Sequence, residues 1–278
     1  VNPTTKVDKL AYILNDCEAT GIFASDRQAS EVTRAIEIVP SLELGILSGR
    51  NADKRIADHE RLRLFRRWMA SFSSQRPRCP SIDLDLACLV YTSGSTGDPK
   101  GVMSTHANVV FAASSIIQYL ENVPDDVVIN VLPLSFDYGL YQLLMTFQFG
   151  GTLVLERSFA YPAVMLKQIE SERVTGLPGV PTLFAVLLQM DLSRFDLSSL
   201  RYLTNTAAAL PVEHIQALRN AFPWAKLYSM YGLTECKRTL YLPPEELDRR
   251  PGSVGIPIPG TEAWVEDEDG HRLGPDEV

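Results

Sequence analysis

Tyr91-Thr92-Ser93-Gly94-Ser95-Thr96-Gly97-Asp98-Pro99-Lys100-Gly101 follows the apolar run Ala87-Cys88-Leu89-Val90, which reads as a buried strand. A helix is expected after it. Four aliphatic hydroxyls (Thr92, Ser93, Ser95, Thr96), three glycines and one lysine share these eleven residues. Glycines let backbone N–H groups approach an anion closely. The hydroxyls donate further hydrogen bonds, and Lys100 supplies a point charge. The set suits the β- and γ-phosphates of ATP. A Walker A loop needs G-K-[ST] at its end; here Asp98 follows Gly97 and Gly101 follows Lys100, so a kinase- or GTPase-type site is disfavoured. A flexible Ser/Gly linker is a poor fit between a buried strand and a helix.

Working outward, strand and helix alternate. Strands are expected at 87–92, 127–132, 152–156, 201–205 and 226–230. Helices are expected at 106–121, 138–148, 161–172, 181–190 and 211–221. This alternation predicts an α/β fold of layered, mostly parallel sheets with flanking helices. Residues 263–273 read as a terminal β-hairpin turning at Asp269-Gly270. Upstream, residues 7–18 carry helical spacing, 22–24 and 42–47 read as strands, and 33–39 as helix or strand. Residues 50–80 are rich in Arg and Lys and read as a solvated surface helix with Leu62, Phe65, Trp68 and Met69 inward, rather than as a membrane- or anion-binding helix. The expected organisation is 1–82 (end of a first subdomain and basic linker), 83–259 (an α/β subdomain with the phosphate loop) and 260–278 (start of a β subdomain).

The net charge of −8 argues against a nucleic-acid partner. No apolar run is long enough for a transmembrane helix. Cys17, Cys79, Cys88 and Cys236 form no C-x-x-C pair, so reduced thiols and a cytoplasmic location are expected. The four histidines are scattered, with none four residues from another, which speaks against a histidine metal site.

Residues 91–102 resemble the signature loop of the adenylate-forming superfamily: acyl-CoA synthetases, aryl-CoA ligases, luciferases and the adenylation domains of peptide synthetases. Thr105-His106-Ala107-Asn108 resembles the continuation of that loop, with His106 read as a helix-start residue rather than a catalytic one. Tyr231-Gly232-Leu233-Thr234-Glu235, about 130 residues on, is similar to the second core motif. The resemblance implies that Tyr231 packs on adenine beside Gly232, that Thr234 contacts the α-phosphate, and that Glu235, with Thr96, holds Mg²⁺. An aromatic face suits a purine and a carboxylate suits a hard cation. Thr92, Ser93, Gly94, Ser95, Thr96, Gly97 and Lys100 then hold the departing pyrophosphate, and Thr96, Lys100 and Glu235 are the catalytic candidates.

Asn205-Thr206-Ala207-Ala208-Ala209-Leu210-Pro211 resembles the small-residue segment that lines the nucleotide and acyl pockets. Thr206 and Ala207 stand where the family often has glycine. Phe136, Asp137 and Tyr138 occupy the place of the family's aromatic motif, and Val180-Pro181-Thr182 that of a pocket-wall segment. Many acyl- and aryl-CoA ligases have histidine where Phe136 falls. Peptide-synthetase adenylation domains often have Phe-Asp there, the aspartate binding the substrate's ammonium group. Asp137 fits either that role or a helix N-terminal acid that favours the helix dipole. Gly252-Ser253-Val254-Gly255-Ile256-Pro257 resembles the family's G-x-x-G-x-P element, more structural than catalytic.

The resemblance implies ATP-dependent activation of a carboxylic acid to acyl-AMP with release of pyrophosphate. Thioester formation with coenzyme A or a phosphopantetheine carrier follows. A fatty or related acid with coenzyme A leads; an amino-acid adenylation domain loading a carrier protein comes second. A non-enzymatic nucleotide- or carrier-binding module is the reading from another class. The family's ribose-binding aspartate, hinge and mobile C-terminal domain have no counterpart here, so the chain is expected to be part of the large domain and catalytically incomplete by itself.

Overall fold

The computed structural model describes residues 1–56, 59–92 and 97–277, in two compact units: 1–85 with 89–102, and 86–88 with 103–277. In the first unit, α1 (Val7–Asp16) and α2 (Ala29–Ile38) cover one face of a parallel sheet. Its strands are β1 (Gly21–Ser25), β2 (Leu44–Ser48) and β3 (Leu62–Leu64), in that order. Leu10 and Leu14 of α1, and Val32, Ala35 and Ile36 of α2, meet Leu47 and Leu62 of the sheet. The helical periodicity of both segments is what places these residues on one side.

The basic segment 50–80 is not one helix. It comprises α3 (Ala52–Arg55), then β3, then α4 (Phe65–Met69). Leu62-Arg63-Leu64 alternates apolar and charged residues with period two, and it pairs with β2 through Gly45↔Leu62, Ile46↔Arg63 and Leu47↔Leu64. Closing the open side of β2 satisfies backbone groups that a helix would have left unpaired. Leu62 is buried and Phe65 and Trp68 half-buried, but Met69 is exposed, contrary to the inward position expected of it.

The phosphate-loop segment also departs from expectation. β4 (Leu86–Thr92) is followed by a second strand, β5 (Lys100–Thr105), and the two pair as a two-stranded sheet. The helix, α5 (His106–Leu120), starts only after β5. Thr105 and Asn108 form a reciprocal capping box: Thr105 Oγ1 accepts from Asn108 N (3.2 Å) and Asn108 Oδ1 from Thr105 N (3.0 Å). This gives Thr105-His106-Ala107-Asn108 a plain physical role as a helix start, and His106 is its exposed first residue. Replacing Thr105 with alanine is expected to cost about 1 kcal/mol, read as a lower urea midpoint.

In the second unit, α5 leads to β6 (Val127–Asn130), α6 (Asp137–Phe149), β7 (Thr152–Leu155) and α7 (Pro162–Ser171). Next come β8 (Gly176–Gly179), α8 (Pro181–Leu187), β9 (Tyr202–Asn205) and α9 (Val212–Ala221). β10 (Lys226–Tyr231), β11 (Leu240–Leu242) and β12 (Ile256–Pro257) complete the sheet, whose order among the described residues is β12-β11-β10-β9-β8-β6-β7. From β7 to β10 the strands are parallel; β11 and β12 run antiparallel to their neighbours. The chain then forms a hairpin with Gly270 at its turn, where Glu266 pairs with Arg272 and Leu273 N donates to Val265 O.

Successive strand residues face opposite sides. Leu177, Leu203 and Leu227 join α7, α8 and α9 in one core layer. Tyr202 and Tyr228 join Ile116 and Tyr119 of α5 and Tyr138 and Tyr141 of α6 in the other. Consecutive crossovers therefore lie on opposite faces: the β6–β7 connection carries α6, the β7–β8 connection carries α7. The strand order reverses between β6 and β8. In open α/β sheets such a switch point leaves a crevice at the carboxyl ends of the two strands.

Candidate functional site

The carboxyl ends of β9 and β10 frame a cavity of about 440 Å³ in the second unit. Residues 206–210, 229–233 and 251–254, with Val212, line it. Of the sequence candidates, this cavity brings together Thr206, Ala207, Ala208, Ala209, Tyr231 and Gly232. Asn205, the last residue of β9, shapes the first wall by donating from Nδ2 to Ala208 O (3.0 Å). Its Oδ1 is buried and has no partner. Ala207 sits at φ +75°, where a β-carbon costs about 1–2 kcal/mol. Glycine at this position would carry no such cost. Gly252, Ser253 and Val254 of that lining open the G-x-x-G-x-P element, whose Ile256 and Pro257 form the edge strand β12.

Tyr231 is exposed enough to offer its ring to a ligand. Gly232 is dictated by close approach. A β-carbon there would lie 2.2 Å from Lys237 O and 2.9 Å from Arg238 Cα. The turn that follows carries Thr234 and Glu235; Glu235 is exposed, and neither belongs to the cavity lining.

Phe136, Asp137, Tyr138 and Val180 gather where the strand order reverses, at the carboxyl ends of β6 and β8. Phe136 is exposed and Val180 half-buried. Asp137 opens α6 but is only 5% exposed, and its Oδ2 lies 3.9 Å from Arg238 Nη1. Tyr138 is core: its hydroxyl meets Thr204 O at 2.9 Å and Thr204 Oγ1 at 2.6 Å, and the Arg238 guanidinium lies 4.5 Å above its ring centre. Burial pushes the Tyr138 hydroxyl up to about 12, against the opposing pull of the Arg238 charge. Burial also raises the Tyr141 hydroxyl, again with Arg238 pulling the other way.

Of the phosphate loop, Ser93, Gly94, Ser95 and Thr96 lie outside the described residues. Thr92 ends β4, Gly97 takes φ +113°, and Lys100 is the exposed first residue of β5. Within the first unit, the Tyr91 hydroxyl donates to Asp16 Oδ2 (2.5 Å), tying the end of β4 to the end of α1.

Nothing in the sequence marks Lys237 and Arg238, because such a pair normally sits on the surface. Here they are 3% and 4% exposed. Lys237 adopts φ +64°, and its Nζ donates back to Thr234 O (2.6 Å).

The model of the AMP-binding enzyme family matches residues 1–278, the whole chain. The chain belongs to that family. Among curated relatives, the long-chain-fatty-acid–CoA ligase of Bacillus subtilis is 34% identical over 200 residues, covering 70% of this chain and 35% of that protein. The human mitochondrial malonate–CoA ligase is 31% identical over 201 residues, covering 67% and 35%. The chain thus spans about a third of the length of the curated relatives it matches. Among solved structures, VinN superposes with a TM-score of 0.80 at 36% identity, covering 100% of this chain and 66% of VinN. VinN has also been solved in complex with L-aspartate and with 3-methylaspartate. As a member of that family, the chain carries the layered α/β architecture of the large domain of adenylate-forming enzymes. Among its described residues no helix is long and apolar enough to cross a membrane.

Proposed function

We propose that this AMP-binding chain serves the ATP-dependent activation of a carboxylic acid, giving acyl-AMP and pyrophosphate, and then a thioester. The cavity at the carboxyl ends of β9 and β10 is the observation that carries this reading. It joins two separate sequence motifs in a chain whose whole length matches the family.

In this reading a substrate carboxylate oxygen attacks the α-phosphorus, and the bond from that phosphorus to the pyrophosphate oxygen breaks. The protein positions the groups and stabilises charge. Tyr231 takes the adenine face. The small side chains of Ala207, Ala208 and Ala209 leave room for the nucleotide, and Thr234 takes an α-phosphate oxygen. Thr92, Ser93, Gly94, Ser95, Thr96, Gly97 and Lys100 receive the leaving pyrophosphate. Glu235 fits Mg²⁺, being an exposed carboxylate on the turn beside the cavity wall, with Thr96 as a further oxygen ligand; Mg²⁺ is commonly held by one or two carboxylates plus phosphates. When bound, the ion neutralises developing phosphate charge.

The names of the curated relatives support coenzyme A as acceptor, and the Bacillus protein supports a fatty acid. A second reading, an amino acid, has its own support. VinN has been solved with L-aspartate and with 3-methylaspartate, and the sequence resemblance makes Asp137 the candidate ammonium partner. That carboxylate is buried beside Arg238 rather than open. Malonate and aspartate are both acids with two carboxylates, a substrate class that spans the CoA-ligase and VinN comparisons.

Acid-dependent ATP–pyrophosphate exchange by the full-length protein, over fatty, aryl, dicarboxylic and amino acids, tests the proposal. Exchange with one class is the expected result. ATP binding without exchange on any acid would refute activation and leave a nucleotide-binding module.

A further inference from the structure

We propose that the first unit holds a binding site of its own, for an organic phosphate ester, in a cavity at the carboxyl ends of β2 and β3, with Arg50, Arg66 and Arg67 as the phosphate receptor. The inference goes beyond the acid-activation reading and does not depend on it.

Charge is spread unevenly along the chain. Residues 50–80 carry nine Lys and Arg against three Asp and Glu, in a chain whose net charge is −8. Some of these cations serve the framework. Arg61 Nη1 donates to Leu42 O (3.0 Å), Arg63 Nη1 to Leu62 O (2.8 Å) and Arg55 Nη1 to Asp26 O (3.4 Å). Arg67 has only a long contact with Asp53, at 3.9 Å, between two exposed groups. Arg50 and Arg66 are exposed and form no ion pair with a described residue.

These last three arginines meet at one cavity of about 380 Å³ within the first unit. Ser48, Gly49 and Arg50 reach it from the end of β2, and Leu64 to Arg67 from the end of β3 and the start of α4. Leu47 and Leu64, paired across the sheet, give it an apolar floor with Ala52. Asp53 is the one acid of the lining, against three arginines. An apolar pocket with a few convergent charged groups is the usual form of a small-molecule site. In open α/β sheets ligands gather beyond the carboxyl ends of the strands.

The frame that presents the arginines is fixed from behind. A β-carbon at Gly49 would lie 2.3 Å from Asp26 Cγ, and Asn51 N donates to Asp26 Oδ2 (2.8 Å), so Asp26 holds the turn that carries Arg50. Phe65 meets Phe23 edge-on with ring centres 5.2 Å apart, which sets the start of α4 and the two arginines after it. Binding then has little to order beyond the arginine side chains.

The lining selects the ligand. Arginine forks match phosphate oxygens, and charge-assisted bonds to them are strong. A carboxylate has two oxygens to share among three guanidinium groups, whereas a phosphate monoester has three. The apolar floor asks for an organic part, which inorganic phosphate lacks. A second cavity, of about 800 Å³, shares Leu64 and Arg67 with the first, and Ile56, Leu62 and Trp68 in its lining give a longer organic part an apolar continuation.

Titration calorimetry of the full-length protein with phenyl phosphate and with inorganic phosphate tests the site. Phenyl phosphate is expected to bind tighter by about tenfold or more, the scale of burying one aromatic ring. Arg50→Gln and Arg66→Gln are each expected to weaken it by about tenfold, the scale of one charge-assisted hydrogen bond. Arg78→Gln removes the same charge outside the cavity lining, and its effect is expected to stay within about twofold because salt screens remote exposed charges. Phenyl phosphate binding with this dependence supports a soluble ester as the ligand. Co-sedimentation with phosphatidylglycerol vesicles that depends on Arg50 and Arg66, without phenyl phosphate binding, supports a lipid headgroup as its source. Binding of neither probe overturns the inference, as does an equal loss in Arg78→Gln. Binding lost in Lys100→Gln but kept in both cavity variants would put the ligand in the phosphate loop and also overturn it. Acid activation stands or falls separately, on the exchange assay.

Discussion

Replacing Gly232 with alanine is expected to lower ATP–pyrophosphate exchange by about 100-fold or more, the scale at which misplacement of about 1 Å damages a positioned site. The added β-carbon would lie 2.2 Å from Lys237 O, 3.0 Å from Lys237 C and 2.9 Å from Arg238 Cα. All three are backbone atoms, so no side-chain rotation relieves the clash. The chain between Gly232 and Arg238 must move, and it carries Thr234 and Glu235. It is closed at its base by β10–β11 pairing, with Tyr231 opposite Leu240 and Thr239 N donating to Tyr231 O (2.9 Å). The displacement therefore concentrates in the turn rather than spreading into the sheet. Overpacking of this kind costs about 1–3 kcal/mol, so the variant is expected to stay folded with a lowered Tm. Exchange and thermal unfolding measured side by side check both halves, and a variant with parental exchange would refute the role given to this turn.

Much of this architecture is legible from residue patterns, and the exceptions have physical causes. The crossovers read well because α5, α6, α7 and α9 are long enough to carry periodicity, and β6, β7, β9 and β10 are short apolar runs between turn residues. β8 escapes notice because Gly176-Leu177-Pro178-Gly179 has the composition of a turn, and proline cannot donate to a ladder. Yet it is central, pairing with β9 over four positions and with β6 only at Val128↔Gly176. Its glycine has a packing reason: a β-carbon at Gly176 would meet the Tyr202 hydroxyl at 2.3 Å. Tertiary packing overrides local propensity there. β5 is hidden for a different reason, since a phosphate loop commonly opens a helix and Lys100-Gly101 carries no strand signal of its own.

The candidate site divides the same way. Its backbone-shaped parts, residues 206–209 and 231–232, show in sequence because small residues and an aromatic recur in a recognisable order. Its buried charges do not. Lys237 and Arg238 are ordinary surface residues by composition, and only the turn closed by Gly232 and the ring of Tyr138 bring Arg238 inside. Asp137 is visible in sequence, but its partner is about 100 residues away in the chain and emerges only from the fold.

Asp126 carries the largest expected stability effect, and it lies away from the cavity lining. Its side chain is 2% exposed and takes Arg201 in a two-point contact, Nη2 to Oδ2 at 2.7 Å and Nε to Oδ1 at 3.2 Å. It also accepts from Asn122 Nδ2 (3.0 Å), Val123 N (3.0 Å) and Thr175 Oγ1 (2.8 Å). These partners come from the turn after α5, the approach to β8 and the approach to β9, so one carboxylate joins the amino ends of neighbouring strands. Asp126→Ala leaves the one-third-exposed Arg201 charge and Val123 N without this acceptor, while Asn122 Nδ2 keeps Tyr202 Oη (3.0 Å) and Thr175 Oγ1 keeps Val127 O (3.3 Å), and the expected loss is about 3 kcal/mol in urea unfolding. The acid dependence follows from the same contacts. Burial by itself would raise the Asp126 carboxyl, but the hydrogen bonds from Arg201, Asn122, Thr175 and Val123 outweigh it and hold the group below the usual aspartate range. A pKa lower in the folded chain than in the unfolded one means that the unfolded chain binds more protons at acid pH. The contribution is therefore fully present above the unfolded value of about 3.9, and it is lost as pH falls through the folded value. Asp126→Asn keeps the shape, removes the titration and is expected to flatten the parent's acid limb. Parental stability in Asp126→Ala, or an unchanged acid limb in Asp126→Asn, would show that Arg201 finds an equivalent partner and that this junction is not where the second unit holds its strands together.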